Sequence, residues 1–332
     1  MDSLTHTAVG LFLSRAGLNR WTPRAAAILF LAANAPDIDI LALAGGPLNY
    51  LHYHRHLTHS LVAMPVIALL VVLAVRWVPG RRGRKPIAWW GAFGAAMIAV
   101  ASHLALDLTN PYGVRLFLPF SAQWVRLDLT AIVDLWIWAV VLLAIAGPFL
   151  GRLVGAEIAS KPSKPSHYGR GFAVFALVFL LLYNCGRAVL NARAAAVLEA
   201  RLYGGSPPLR AAAIPGFADP LRWRGVVETS DAYAVAEVDL TGEFDAERAA
   251  LYAKAPRGPA IEAARRTPTF QEFLRFAQFP LWRVVPAAEP QNGTLVEAMD
   301  LRFGSPAAPA FVASAVLDAN RKVISTAFQF RR

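Results

Sequence analysis

The sequence predicts a polytopic, mostly α-helical membrane domain, residues 1–190, followed by a C-terminal soluble α+β domain, residues 195–332. Three observations carry that expectation. Of 332 residues, 56% are hydrophobic, and they cluster in blocks, with a mean hydropathy of +0.42. That is too apolar for an ordinary soluble enzyme. Beyond Ala194 the blocks give way to short alternating runs separated by Pro and Gly. Finally, the formal charge of +11 sits largely between apolar blocks, with no basic stripe interleaved with aromatics. The expected partner is therefore the lipid bilayer and not nucleic acid. A single cysteine, Cys185, excludes an intrachain disulfide framework and a cysteine-based zinc site. No basic segment precedes the first apolar stretch, so a cleavable signal peptide is not expected.

Ser3–Gly17 carries Leu4, Val9, Leu11, Phe12 and Leu13 and reads as a short helix capped by Asp2 or Ser3, with His6 near its start. Ala25–Ala35 is a second apolar helix, stopped by Pro36 and followed by Asp37-Ile38-Asp39. Neither reaches the roughly 20 residues that a bilayer crossing needs. Leu61–Val78, Ile87–Leu106, Leu129–Leu150 and Gly171–Gly186, extended through Leu190, are stronger spans. Asp128 is read as the cap of a helix beginning at Leu129, and Asp134 as a partner for a histidine. Six strands are expected: 222–230, 233–240, 281–289, 295–303, 311–317 and 323–330. The last two form a hairpin over Asp318–Arg321. Thr269-Phe270-Gln271-Glu272 fits a capping box opening a helix to about Gln278.

Loop charges orient the spans. Arg15, Arg20, Arg24, Arg76, Arg81, Arg82, Arg84, Lys85, Arg152, Lys161, Lys164 and Arg170 occupy one set of loops, and only Arg55, Arg115 and Arg126 the alternate set. Twelve against three places the first set in the cytoplasm of a bacterial-type inner membrane. His6, Asp37, Asp39, the histidine cluster, His103 and Asp107 then share the outer, periplasmic face, and the C-terminal domain lies on that side too.

That shared face is where chemistry is expected. Four of the seven histidines, His52, His54, His56 and His59, fall within eight residues, directly before an apolar run. His103 and Asp107 are four apart on a helix and project from one face, as two ligands of one metal do. A carboxylate deep in an apolar helix is costly unless it is paired or coordinated. Asp37 and Asp39 cannot share a helix face, so a turn must aim one or both. Arg55, between His54 and His56, is suited to holding the oxygens of a phosphoester. There is no His-Glu-x-x-His helix, nucleophile elbow or P-loop. Histidine and aspartate without cysteine suit zinc, or manganese, in hydrolysis.

Met1-Asp2-x-x-Thr5-His6, Pro36-Asp37-Ile38-Asp39, His54-Arg55-x-x-Thr58-His59-Ser60 and His103-x-x-x-Asp107-x-x-Asn110-x-Tyr112-Gly113 follow one another over roughly the first 140 residues. Together they resemble the YdjM-like inner-membrane metal-dependent hydrolases. A looser similarity runs to the zinc-dependent phospholipase C and single-strand nuclease superfamily, helical enzymes with three zinc ions. The resemblance implies a membrane-bound metal-dependent hydrolase, and the looser similarity makes His6, Asp37, His59, His103 and Asp107 its ligands. His54 of the histidine cluster is a further candidate, for a site of one to three ions. Asp37, Asp39 and Arg55 are the catalytic candidates. Water activated by the metal would attack an ester, a phosphoester of a lipid or lipid-linked molecule among them. The chain departs from that superfamily in showing neither its α-amino ligand nor its later His-x-x-x-Glu/Asp pair.

Two other functions remain open at this point. A metal- or proton-coupled transporter requires polar residues continuing toward the cytoplasm, and 66–75 and 87–101 carry almost none. A non-catalytic metal-binding scaffold would retain metal without turnover. The topology is testable with single cysteines in a background lacking Cys185. Cysteines replacing Gly83 and Ser163 should be shielded from an impermeant thiol reagent in intact cells, and those replacing Asn49 and Ser121 should label. Labelling of all four removes the shared face.

Overall fold

The computed structural model describes residues 1–78, 86–158 and 168–330. Arg81, Arg82, Arg84, Lys85, Lys161, Lys164 and His167 of the basic loops lie outside the described residues. The chain divides into two compact units. One comprises Met1–Asp39, Arg55–Val189 and Phe217–Asp219, and the other Ile40–His54, Leu190–Gly216 and Pro220–Arg332.

The first unit is helical. α1 (Ser3–Ala16) is capped by Asp2, whose carboxylate accepts from the Thr5 backbone at 3.0 Å and the Thr5 hydroxyl at 2.7 Å. α2 (Ala25–Asn34) runs at Pro36 into 3-10 turns spanning Ala35–Gly45 and does not stop there. Proline is tolerated in a first helical turn, where its missing N–H costs least. The combined stretch Ala25–Gly45 is thereby long and apolar enough to cross a bilayer. So are Trp89–Leu108 and Gly169–Glu199, whereas Ala63–Trp77 reaches that length only if counted as one broken span with Pro47–His59, from which a bend of 84° separates it.

α4 (Ala63–Trp77) and α5 (Trp89–Leu108) pack with α2 through small side chains. Ala92, Ala95, Ala96 and Ala99 recur along one stripe of α5, facing Ile28, Ala32, Val72 and neighbours in a single core. Small residues allow close helix approach where lipid supplies no hydrophobic drive between helices. Gly10 serves the same end, since a Cβ there would meet the Leu29 carbonyl at 2.8 Å. α6 (Leu135–Ile158) and α7 (Tyr168–Glu199) pack on α1 around Phe12, Ile137 and Ala176.

Two expectations fail at the start of α6. The helix begins at Leu135, not Leu129, and Asp128 adopts φ 54°, so it caps nothing there. Asp134 is the residue that accepts from the backbone of Trp136 and Ile137, at 3.0 and 3.2 Å. Its partner is the Tyr183 hydroxyl at 3.1 Å, not a histidine. A carboxylate that satisfies orphan helix N–H groups already has its charge balanced in part.

The second unit contains two four-stranded antiparallel meanders. β1 (Arg210–Pro215), β2 (Arg222–Glu228), β3 (Ala232–Asp239) and β4 (Ala250–Ala253) form one, with Val226 opposite Val235. β5 (Pro280–Pro286), β6 (Thr294–Asp300), β7 (Phe311–Leu317) and β8 (Val323–Phe330) form the other, with Val296 opposite Ala315. The expected strands are present within three residues, and the 318–321 hairpin closes through Arg321 N–H to the Asp318 carbonyl at 2.9 Å. β1, β4 and the short helix α8 (Pro259–Arg265) go beyond the sequence reading. α9 (Pro268–Phe276) starts two residues early because Thr267, not Thr269, is its cap, with Pro268 in the first turn.

α3 (Pro47–Tyr53), from the histidine-rich stretch, belongs to this second unit, where His52 Nδ1 lies 2.7 Å from a Glu272 carboxylate oxygen on α9. Leu51 on α3 is 1% exposed. Leu51→Ala should therefore lower the stability of the second unit by about 2–5 kcal/mol. The thermal midpoint in detergent measures it, and an unchanged midpoint would show that α3 contributes nothing to that core.

Candidate metal centre

Four helix ends that carry acidic or imidazole side chains come together in the first unit. They are the start of α1, the end of α2, the approach to α4 and the end of α5. At that junction Asp37, His59, His103 and Asp107 each offer one donor atom, all within 4.8 Å of one another. His59 Nε2 is 3.2 Å from His103 Nε2 and from Asp107 Oδ2, and 3.6 Å from Asp37 Oδ1. His103 Nε2 is 3.5 Å from both Asp37 Oδ1 and Asp107 Oδ2.

The five separations that involve an imidazole, 3.2–3.6 Å, are close to those a small cation would hold. A tetrahedral ion with zinc-like bonds of about 2.0–2.2 Å holds its ligand atoms about 3.3–3.6 Å apart. The hydrogen bonds behind the ligands point the same way. His103 Nδ1 is 2.7 Å from the Ala33 carbonyl, an acceptor only, so Nδ1 carries a proton and the neutral ring would have its lone pair on Nε2. His59 Nδ1 lies 3.2 Å from Asp39 Oδ2 and 3.1 Å from the Thr58 hydroxyl, which fixes the same tautomer. Asp107 Oδ2 is buried and accepts no hydrogen bond among the described residues. Two imidazole Nε2 atoms and two carboxylate oxygens thus converge on one another. A divalent cation satisfies all four, and these residues fit one.

Asp39 stands behind the ligands. Its Oδ2 accepts from the Arg55 backbone at 2.8 Å and the Thr58 hydroxyl at 2.9 Å while facing His59. One residue of 3-10 helix, Ile38, separates Asp37 from Asp39 and turns them apart, so they reach opposite nitrogens of one imidazole. Arg55 is 4% exposed. Its Nη2 donates to Asp107 Oδ1 at 2.9 Å, and its Nη1 donates to Asn110 Oδ1 at 3.0 Å and the Gly113 carbonyl at 3.3 Å. Both Nη atoms are thus engaged by protein acceptors, and Arg55 balances Asp107 where the sequence reading had it holding a substrate. Gly113, at φ 80°, is required here because a Cβ would meet the Val125 carbonyl at 2.7 Å.

His6 stands beside the group rather than in it. Its ring stacks on His103 at 3.8 Å, and its Nε2 is 3.3 Å from Asp107 Oδ1. The Met1 α-amino group also donates to Asp107 Oδ1, a contact that the sequence reading missed. His54 is not brought into the group; its ring stacks on Tyr50 at 4.4 Å, and it falls in the second unit. The Ala33 carbonyl escaped the sequence as well, because every residue has one. Thr58, in contrast, stands in the motif, though with no role assigned to it there.

A bundle of apolar helices whose ends gather histidine and aspartate defines a membrane protein with a candidate metal centre. The chain belongs to the YdjM inner membrane protein family, whose family model matches residues 1–194. Residues 259–331 match the YfhP C-terminal alpha/beta plait domain. Across both parts, the chain is 24% identical to the Bacillus subtilis (strain 168) protein "Uncharacterized protein YfhP" over 321 residues, 94% of this chain and 90% of that one. No solved structure gives a significant match.

Alanine at Asp37, His59, His103 or Asp107 should abolish stoichiometric metal, read as bound metal per folded protein. Asp39→Asn should lower metal affinity about 10- to 100-fold, as loss of an orienting partner does. His54→Ala and His167→Ala should keep full occupancy. Full occupancy in His103→Ala and Asp107→Ala would remove the centre.

Proposed function

We propose that the chain is a membrane-bound metal-dependent hydrolase that cleaves an ester, phosphoesters included, at the outer face of the inner membrane. The observation that carries this reading is the convergence of His59 and His103 Nε2 with Asp37 and Asp107 oxygens in a donor set without cysteine. Such donors suit zinc or manganese, and an ion held there would polarise the ester and lower the pKa of water toward neutrality.

The chain's own groups divide the remaining work. Asp107 is buried and neutralised from behind by Arg55, so its place is to hold the ion. The Asp39 and Ala33 oxygens keep the two imidazoles in the ligating tautomer. The Asp37 side chain is 21% exposed, the only one of the four that reaches the surface. Its Oδ2 meets the Ser3 hydroxyl at 3.3 Å, which leaves that oxygen able to take the proton of the attacking water. The ligands' position at helix ends supports a site reached from one face and not a pathway through the bilayer.

Purified protein should lose hydrolysis on chelation and regain it with zinc or manganese, in a screen over phosphomonoesters, phosphodiesters and phospholipids. At saturating metal, Asp37→Asn should lower kcat about 100- to 10,000-fold, the usual worth of a general base. Full metal content with no turnover on any of these esters would leave a binding scaffold in place of an enzyme.

A further inference from the structure

A cavity of about 500 Å3 opens beside Asp37, within the size range of small-molecule sites. Leu31, Ala35 and Ile38 form one wall, at the i, i+4, i+7 spacing of a single helical face. Ile67, Leu70 and Ala74 of α4 form the other, at i, i+3, i+7. Seven residues of helix make each wall about 10 Å long. The two polar lining residues are Asn34 and Asp37. Asn34 is occupied, accepting from the Thr7 hydroxyl at 2.9 Å and donating to the Phe30 carbonyl at 2.8 Å. Asp37 therefore supplies the polar end of an otherwise apolar trough, and Asp37 is also the partly exposed member of the metal group.

The rim sets the direction of entry. Leu31, Ile38 and Leu70 are 44%, 61% and 58% exposed. An apolar rim shared by the candidate membrane span Ala25–Gly45 and the apolar helix α4 faces lipid more readily than water. A ligand that fits is therefore an aliphatic chain with one polar group at its end. We propose that this groove holds an acyl chain of the substrate, which enters sideways from the bilayer and presents its ester group at Asp37. The inference rests on the proposed hydrolysis for the reaction, and on the groove alone for the chain.

The test uses the full chain in phosphatidylcholine vesicles doped with a phospholipid bearing a diazirine on one acyl chain. Photolabelling should concentrate at residues 31–38 and 67–74, at least fivefold above lipid-facing Leu142 and Leu181. Leu70→Trp and Ala74→Phe, at exposed positions that tolerate bulk, should cut that labelling at least tenfold while metal content stays unchanged. Uniform labelling, or labelling that survives both substitutions, overturns the groove and leaves only surrounding lipid. In a parallel assay both variants should lower the long-chain to short-chain ratio of kcat/KM at least tenfold, and an unchanged ratio also overturns it. Concentrated labelling with no turnover of either ester would refute hydrolysis and keep the chain site. Turnover with uniform labelling would do the reverse.

Discussion

Two imidazoles whose Nδ1 atoms face oxygen acceptors turn their Nε2 atoms on carboxylate oxygens. His59 Nε2 and Asp107 Oδ2 stand 3.2 Å apart, and His103 Nε2 and Asp37 Oδ1 3.5 Å apart. Acceptors held that close repel unless a positive charge lies between them, and in a low-dielectric interior the repulsion is large. Much of the first unit follows from that constraint. Arg55 is folded inward, at φ 54° and 4% exposure, to set a positive charge on the far oxygen of Asp107. A guanidinium so placed leaves Oδ2 with the share of the carboxylate's charge that a metal would use.

The helices make this affordable by placing the charges at their ends. α2 and α5 finish at the site, and α1 and α4 begin there, so the apolar lengths of four helices run away from one polar junction. The Ala-rich stripe of α5 continues to Ala99 and Val100, and the ligands start one turn later at His103. Close packing in the stripe thus fixes where the His103–Asp107 face points. The chain needs little beyond helix packing to aim two of its four ligands. The other two need irregular backbone: the 3-10 turns after Pro36 for Asp37, and the short 3-10 turn Leu57–His59 for His59.

Regular helix was legible in the sequence, and irregular backbone was not. His103-x-x-x-Asp107 is a helical spacing, so its shared face can be read directly and the structure keeps it. For the pair after Pro36 the sequence carries the need for a turn and Asp37 as the ligand candidate, but not the place of Asp39. That one carboxylate would ligate while the other oriented a histidine depended on the 3-10 rotation, which no residue type announces. Density of histidines misled for a related reason. His54 and His59 look equivalent in sequence, but the backbone changes direction between them, and His54 ends in helix-end geometry beside Tyr50. The start of α6 was misplaced because Leu129–Val133 is apolar enough for a helix, whereas the cap that decides is Asp134. Strands with alternating burial were found, and β1 and β4 were not, since one follows a Pro/Gly-rich stretch and the other has four residues.

The stretch between Asp39 and Arg55 links the site to the chain's division into units. Its interior, Ile40–His54, belongs to the second unit, so the chain leaves the first unit immediately after one site residue and returns immediately before another. Both ends of the excursion are tied within the first unit by one hydrogen bond, from the Arg55 N–H to Asp39 Oδ2 at 2.8 Å. The same oxygen faces His59 Nδ1 and accepts from the Thr58 hydroxyl. One carboxylate oxygen therefore closes the neck of the excursion and fixes the tautomer of a ligand. A change that opened the neck would pull Asp39 from His59 and free its Nδ1 proton to exchange, and the imidazole would lose its reason to keep Nε2 bare. Asp39 can thus be indispensable to the centre without touching the ion. Its place two residues after a ligand follows from geometry, because only the next part-turn of a 3-10 helix reaches the far side of the same ring.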